Sequence, residues 1–293
     1  MLTILLLHGQ LEQLIEDNGN YSLPQMIATE RPDKVSNLLL NGRVAVIVNG
    51  SPYVLVMPGV LTDFLGTPED KNTKFQFANL LKLIRLVAII LTIFLPATYI
   101  AITNFHQELI PTKLLLTIIA SRAGLPFPMI VELFLMEFSF ELIREGGLRI
   151  PSPIGPTMGI VGALILGQSS VEAGIVSPIL IIIVSGTAIA SFCIPDYSLA
   201  FHCRIVRFVY IFLAYLAGFL GIAFGIFIHL FILSSMKSFG VSYLEPYLPV
   251  NSKTSNGFLL SPAWKRENRA AFLETKRNNK QSNISMHWKY PQK

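Results

Sequence analysis

Two long apolar runs constrain the fold of this chain more than any other feature. Leu83–Thr103 and Ile205–Ser234 contain few charged side chains, and each is long enough to cross a bilayer, which takes about 20 residues. A third run, Ile175–Ile194, has a similar length. The composition agrees, because 14% of the residues are charged, against roughly a quarter in an average soluble domain. The sequence therefore predicts a mainly α, polytopic helical membrane protein.

Three shorter apolar segments separate these runs. They are Leu109–Ala120, Phe127–Ile143 and Ile154–Gly167. Each is near or below the length of a full crossing, so the sequence predicts about four to six membrane crossings in total.

The first 80 residues have a different character and predict α+β structure. Pro32 can open a short helix that runs to Leu40. The β-branched runs Arg43–Val48 and Tyr53–Met57 flank Asn49-Gly50, which is a strong hairpin signal. We expect residues 1–80 to form part of a cytoplasmic α+β domain whose upstream portion is missing.

Positive charge is concentrated at the end of the chain. Residues 251–293 contain nine Lys and Arg against two acidic residues, whereas the net charge of the whole chain is +5. Basic segments next to membrane helices favour the cytoplasm and anionic lipid. The predicted division is a cytoplasmic domain at 1–80, a membrane core at 81–236 and a basic cytoplasmic tail at 237–293, with lipids rather than nucleic acid as the partner of the tail.

Acidic residues inside an apolar segment are costly and point to function. Glu137, Glu141 and Glu145 fall within about 80° of one another on a helix. One interpretation is an acidic stripe along a hydrated path for cations, with Glu137 and Glu141 as the candidate residues. The other is a set of structural ion pairs, such as Glu141 with Arg144.

A second candidate region combines small and polar residues. Its glycines permit close packing of helices, and its polar residues interrupt the apolar sequence at membrane depth, as in broken helices that bind ions or solutes. A plain polar loop between two short spans is the alternative. The helix-packing candidates are Gly155, Gly159, Gly162 and Gly167, and the ion-path candidates are Gln168, Ser169 and Glu172.

Motifs for catalysis are absent from the sequence. It contains no Walker A loop, no HExxH, no GxSxG and no dinucleotide-binding fingerprint. Cys193, Cys203 and His202 do not have the spacing of a zinc site. We therefore expect no enzymatic activity, no cofactor, no metal site and no catalytic residue.

An ordered series of motifs resembles the A subunits of bacterial spore germinant receptors, the GerA/SpoVAF-like family. The series covers roughly residues 10–250 in the order of the family. Its members are TERPDKV at Thr29–Val35, NGRVAVIVNGSPYVLVMP at Asn41–Pro58, PED at Pro68–Asp70, FLPATYIAITNFHQELIP at Phe94–Pro111, GLPFPMIVELFLMEFSFELIREGGLRIP at Gly124–Pro151, PIGPTMGIVGALILGQSSVEAGIVSP at Pro153–Pro178 and KSFGVSYLEPYLP at Lys237–Pro249.

The resemblance implies a multi-pass subunit of a nutrient receptor in the spore inner membrane. It implies a transporter-like B subunit and a lipoprotein C subunit as partners, assembly as a homo-oligomer, and passage of monovalent cations when a nutrient is detected. Members of this family have a large cytoplasmic region before the ERPD motif, so the chain is expected to be an N-terminally truncated member.

Three functions are compatible with these features. The first is a subunit that forms or gates an ion-conducting path, which would use the acidic stripe. The second is a secondary transporter of a small nutrient, although no internal inverted repeat is visible. The third is a non-conducting membrane scaffold, in which the polar residues only fix helix packing.

Overall fold

A three-stranded antiparallel sheet forms early in the chain. It is seen in a computed structural model that describes residues 8–149, 162, 165–247, 259–262, 269–273 and 275–277. The strands β1 (Ile27–Thr29), β2 (Val44–Ile47) and β3 (Val54–Met57) lie in the order β1-β3-β2. Val44 pairs with Met57 and Ile47 with Val54, which confirms the predicted hairpin. Strand β1 was not predicted, because three residues are too few to show alternation.

Short helices surround this sheet. Helix α2 begins and ends at the predicted residues, and Pro32 lies in its first turn, where its missing N–H is not needed. The helices are α1 (His8–Ile15), α2 (Pro32–Leu40) and α3 (Leu61–Phe64), with a 3₁₀ turn at Pro68–Lys71.

Segments that are distant in sequence share the compact unit that contains the sheet, which comprises Met1–Val87, Ile194–His202 and Ile228–Lys293. A small ribbon of β4 (Lys237–Ser238) and β5 (Val241–Ser242) belongs to it. The Ser238 hydroxyl donates to the carbonyl of Gln25 at 2.8 Å and accepts the amide of Gly59 at 3.2 Å. A Cβ at Gly59 would lie 2.7 Å from the Gln25 carbonyl oxygen, so this close approach requires glycine.

Two of the sequence motifs that carry the resemblance are joined by charge in this unit. Arg31 of the ERPD motif pairs with Asp33 and with Glu69 of the PED motif. The carboxylate of Asp70, in the same PED motif, accepts hydrogen bonds from both terminal nitrogens of Arg85, at 2.5 and 3.0 Å, and from the amide of Thr67, at 2.9 Å. Burial by itself raises the pKa of Asp70, but these hydrogen bonds outweigh it and hold the pKa below its ordinary value.

The second compact unit comprises Ala88–Cys193 and Cys203–Phe227 and contains the main apolar helices. Helices α4 and α9 contribute residues to both units. The helices are α4 (Phe75–Phe105), α5 (Thr112–Arg122), α6 (Met129–Arg149), α7 (165–172), α8 (Pro178–Phe192) and α9 (Tyr197–Ser235), with 3₁₀ turns at Gln107–Leu109 and, outside this unit, at Ala271–Leu273.

Two helices are long and apolar enough to cross a membrane, judged by length and composition alone. They are α4, with 31 residues, and α9, with 39 residues. Helix α8 has 15 residues and is shorter than the full span predicted at Ile175–Ile194. Most of the segment predicted at Ile154–Gly167 lies outside the described residues, so the number of crossings stays a prediction, as does the three-part division of the chain.

Helix α9 reverses direction in its middle, which corrects the prediction of one continuous span at Ile205–Ser234. Ala217 and Gly218 have non-helical dihedral angles, with φ +58° at Gly218. A Cβ at Gly221 would lie 2.1 Å from the carbonyl oxygen of Leu213, and one at Gly225 would lie 2.8 Å from the Tyr210 ring. Residues 15 apart on one straight helix would be about 22 Å apart. Residues 197–216 and 219–235 therefore form an antiparallel helical hairpin.

Aromatic contacts fix the first arm of this hairpin beside α4. Phe94 and Tyr210 pack edge to face with ring centroids 4.8 Å apart. A Cβ at Gly218 would lie 3.0 Å from the ring of Phe105, and His106 packs on Phe219 at 5.0 Å. Since contacts advance along both helices in the same direction, α4 and the first arm run parallel.

Candidate functional site

Five charged side chains of α6 and α9 meet among apolar helices. Arg207 Nη2 lies 2.9 Å from Glu137 Oε2 and 2.9 Å from Glu141 Oε1. Arg204 Nη1 lies 3.0 Å from Glu141 Oε2, and Arg144 Nη1 lies 2.9 Å from Glu141 Oε1. We call these residues the charge cluster. It holds three guanidinium groups and two carboxylates, so it carries an excess of positive charge when all are ionised.

Helical spacing explains how the two elements present these groups to each other. Glu137 and Glu141 are four residues apart on α6, and Arg204 and Arg207 are three apart on α9, so each pair lies on one helix face. Phe134 of α6 stacks on Phe208 of α9, with centroids 5.8 Å apart, beside the charged contacts. The helices are thus joined by an apolar contact next to an ionic one.

The centre of the charge cluster is withdrawn from solvent. The side chains of Glu137 and Arg207 are each 1% exposed, whereas that of Glu141 is 23% exposed. Charges buried this deeply require partners, since a lone ion loses several kcal/mol of hydration free energy. The Glu137–Arg207 pair is therefore the contact on which the cluster depends.

Hydrogen bonding in the charge cluster is incomplete. Glu137 Oε1 and Arg207 Nε are buried and have no hydrogen-bond partner among the described residues. An unsatisfied buried polar atom costs about 1–3 kcal/mol. In the present arrangement of α6 and α9, these two atoms have no partner among the described protein groups.

Helix α8 is connected to the charge cluster through Arg144. Its Nη2 donates to the Ser191 hydroxyl at 2.7 Å, and its guanidinium lies 5.0 Å from the centre of the Phe192 ring. The opposite end of α8 contacts Glu132, which is outside the charge cluster: the Ser177 amide donates to Glu132 Oε2 at 3.4 Å. Both ends of α8 thus contact charged residues of α6.

The polar candidates on α7 lie apart from the charge cluster. Gln168, Ser169 and Glu172 are exposed, and Gln168 Nε2 donates to Glu172 Oε1 at 2.9 Å. In the part of the chain that the structure describes, neither partner of this bond contacts the charge cluster. The two candidate regions are therefore separate features.

The structure describes two of the four glycines that were predicted to pack helices closely, Gly162 and Gly167. Gly155 and Gly159 lie outside the described residues. A Cβ at Gly162 would lie 3.8 Å from the Ile143 side chain, and one at Gly167 would lie 3.4 Å from that of Ile181, both ordinary contacts. Their role in close helix packing stays a prediction, whereas Gly221 and Gly225 of α9 make much closer approaches.

Two of the three arginines in the charge cluster were not predicted from the sequence, whereas Arg144 was identified there as a partner of Glu141. Arg204 and Arg207 lie in an apolar stretch of α9, and arginine in such a position signals a buried partner by the same argument that applies to glutamate. The GxxxG spacing of Gly221 and Gly225 was likewise an available signal for close helix packing. Across the described residues, no group of three or more His, Cys, Asp and Glu is arranged to hold a metal ion.

Comparison with known proteins gives one consistent match. Residues 2–272 match the model of a family described as the Bacillus/Clostridium GerA spore germination protein. The chain is 43% identical over 256 residues to spore germination protein KA of Bacillus subtilis (strain 168), a match that covers 87% of this chain and 47% of that protein. It is 45% identical over 238 residues to spore germination protein A1 of that strain, covering 81% of this chain and 49% of the relative.

A third relative carries a membrane designation in its name. The uncharacterized membrane protein YfkQ of the same strain is 40% identical over 257 residues, covering 87% of this chain and 50% of YfkQ. The chain spans about half the length of these relatives. No solved structure matches the chain significantly.

Proposed function

Because the chain belongs to the GerA family of spore germination proteins, we propose that it is a membrane subunit of a nutrient germinant receptor. Its place is the spore inner membrane, where it assembles with a transporter-like B subunit, a lipoprotein C subunit and further copies of itself. No enzymatic activity is part of this role, and none of the relatives above is named for one.

Helix α4 and both arms of the α9 hairpin are the spans of this membrane core. Residues 197–216 extend for roughly 30 Å and residues 219–235 for roughly 25 Å at 1.5 Å per residue, close to the thickness of the hydrocarbon layer. Their outer faces carry large exposed apolar side chains, including Leu220, Phe227 and Phe231. Such faces are costly in water and are stable against lipid.

Cysteine accessibility tests this topology. Cys193 and Cys203 are first replaced by serine, and single cysteines are then placed at Leu220, next to the turn, and at Ser235, at the end of the second arm. A membrane-impermeant maleimide is expected to label these two positions from opposite sides of the membrane. Labelling of both from the same side would show that the hairpin does not cross.

The charge cluster is the proposed closing contact of an ion-conducting path. A cation path needs carboxylates that face water, whereas Glu137 and Glu141 here face three arginines. The excess positive charge of the cluster repels a cation in this arrangement. Separation of α6 from α9 would free Glu137 from Arg207 and would leave Glu141 paired with Arg144 alone, which is on the same helix.

A non-conducting scaffold is the second candidate, favoured by the same ion pairs. If the arginines and glutamates serve only to hold α6 on α9, their removal lowers the amount of assembled receptor and leaves the ion flux per receptor unchanged. The two functions therefore differ in flux at matched protein levels.

The deciding experiment measures cation release from spores that carry this chain with its partner subunits. Nutrient-triggered release is compared between the original chain and a Glu137→Gln, Glu141→Gln variant at equal membrane levels. Glu108→Gln is the matched control, since Glu108 has an exposed carboxylate, with 72% of its side chain accessible. A changed release rate in the double variant alone supports the gate. An unchanged rate refutes the gate and favours the scaffold. A Gln168→Ala, Glu172→Gln variant tests the separate α7 candidates in the same assay.

A further inference from the structure

A cavity of about 380 Å³ lies in the second unit, between the end of α4, helix α5 and the beginning of α6. Its volume falls in the range of about 300–1,000 Å³ that is typical of small-molecule sites. Most of its lining is apolar, with Leu115, Ile118 and Phe127 among the contributing residues. The cavity is separate from the charge cluster, which contributes no residue to its lining.

Arg122 is the one charged residue that lines this cavity among the described residues. Its Nη2 lies 3.3 Å from Glu132 Oε1, at the long end of hydrogen-bond distances. Its Nε is buried and has no hydrogen-bond partner among the described residues. The guanidinium group therefore keeps donor capacity, since arginine has five N–H groups arranged for bidentate binding of a carboxylate.

Three other polar side chains at or beside the cavity make hydrogen bonds within the protein. Gln107 Nε2 donates to the carbonyl of Thr103 at 2.8 Å, and the Thr103 hydroxyl donates to the carbonyl of Tyr99 at 2.7 Å. Glu132 has a fully buried side chain and accepts the Ser177 amide with its second oxygen. A cation would have to displace Arg122 from Glu132, whereas an anion can bind the free donors of Arg122 directly.

We propose that this cavity binds an amphiphilic monocarboxylate, with the carboxylate on Arg122 and an apolar chain against Leu115, Ile118 and Phe127. The ligand class follows from a single cation, Arg122, beside the apolar side chains that make up most of the lining residues of a cavity of this size. A neutral apolar molecule would fill the volume and make no hydrogen bond to the accessible part of the Arg122 guanidinium group, so it would bind more weakly. This site is independent of the proposed role in germination.

The test uses a photoreactive diazirine analogue of decanoate with the whole chain in phosphatidylcholine vesicles. Labelled residues are mapped by mass spectrometry, and decanoate, decanol and phosphatidylglycerol are added as competitors. Labelling is expected within residues 115–129, with decanoate competing about tenfold or more better than decanol, because a charge-assisted hydrogen bond is lost with the alcohol.

Three variants make the result specific. Arg122→Gln is expected to remove the preference for decanoate over decanol. Leu115→Trp fills the cavity without changing its charge and is expected to abolish labelling. It tests occupation of the cavity with Arg122 in place, so the conclusion does not depend on whether Arg122→Gln folds. Lys113→Gln, an exposed base on the same helix outside the lining, is the matched control and is expected to bind as the original chain does.

Several outcomes would overturn the proposal. Labelling outside residues 115–129, or equal competition by decanol, would mean that Arg122 does not select a carboxylate. Equal competition by phosphatidylglycerol would assign the anion to a lipid headgroup instead of a monocarboxylate. Unchanged labelling of Leu115→Trp would show that the ligand does not occupy this cavity.

Discussion

Replacing Arg207 by methionine removes the guanidinium group that lies between Glu137 and Glu141. Glu137, with a side chain 1% exposed, then loses its only ion-pair partner among the described residues. Removing one partner of a buried pair costs about 3–5 kcal/mol, which lowers the ratio of folded to unfolded protein by roughly two to three and a half orders of magnitude. The Arg207→Met chain is therefore expected to be severely destabilised, although methionine suits the apolar surroundings.

A matched variant separates loss of this pair from loss of any arginine. Arg144→Met removes one of the three partners of Glu141, whose side chain is 23% exposed and which keeps Arg204 and Arg207. We expect a cost of about 1 kcal/mol, as for partly exposed pairs. The double variant Glu137→Gln, Arg207→Met is expected to recover part of the stability lost in Arg207→Met, because no unpaired buried carboxylate remains.

Equilibrium unfolding in mixed micelles with increasing sodium dodecyl sulfate measures these differences, with helix content followed by circular dichroism. Protein levels in the membrane give a second measure. If Arg207→Met unfolds within about 1 kcal/mol of the original chain, or if Arg144→Met is equally costly, the Glu137–Arg207 pair is not the central contact.

Three further predictions concern other parts of the molecule. Gly221→Ala is expected to lower the free energy of unfolding by about 1–3 kcal/mol in the same assay, because the added methyl group would lie 2.1 Å from a backbone oxygen. Gly146→Ala is expected to be tolerated, because a Cβ there meets nothing within 4 Å. Equal losses of stability in the two variants would refute the hairpin contact. Burial, together with nearby acidic groups, raises the pKa of Glu12 from 4.5 to about 7, so the folded state binds a proton at Glu12 more tightly than the unfolded state does. The stability that this proton binding contributes is complete below pH 4.5 and is lost as the pH rises through 7. The thermal midpoint should therefore fall over this interval, and Glu12→Gln should reduce that fall; an unchanged slope would contradict the assignment. Asp70→Asn removes the carboxylate that holds Arg85. Because the pKa of Asp70 is lowered in the folded state, the stability that Asp70 contributes is present above its ordinary pKa and is lost as the pH falls through its folded pKa. The thermal midpoint of the variant should therefore lie well below that of the original chain at pH 7 and approach it in acid, and equal midpoints at pH 7 would be the contrary result.

Local signals predicted the elements around the sheet well. The Pro32–Leu40 helix and the pairing of β2 with β3 follow from proline, glycine and β-branched residues within a few positions of one another. The tight Asn-Gly turn is the exception, since the connection extends over residues 48–53, and only Gly50 takes a positive φ, of 83°. Loop length depends on how the strands pack, which a local motif does not encode.

Long-range pairing was the part that the sequence did not provide. Hydropathy identifies an apolar stretch equally well whether it is straight or folded back at Gly218, because both arms of α9 are predominantly apolar. The candidates Glu137 and Glu141 were found from the cost of placing charge in an apolar helix. Arg144 was identified from its spacing to Glu141 on the same helix, but Arg204 and Arg207 lie more than 60 positions away on another helix, so the geometry of the charge cluster required the tertiary structure.

Cation release by charge-swapped receptors tests the central claim most directly. Spores would carry Glu137→Arg, Arg207→Glu or the two changes together, with partner subunits present and membrane levels matched. If the Glu137–Arg207 pair closes the path, each single reversal places like charges in contact and should release cations without nutrient. The double swap should restore nutrient dependence in part, because the acid at position 207 would then also lie beside Glu141. Nutrient-triggered release that is unchanged in both single reversals would contradict the account.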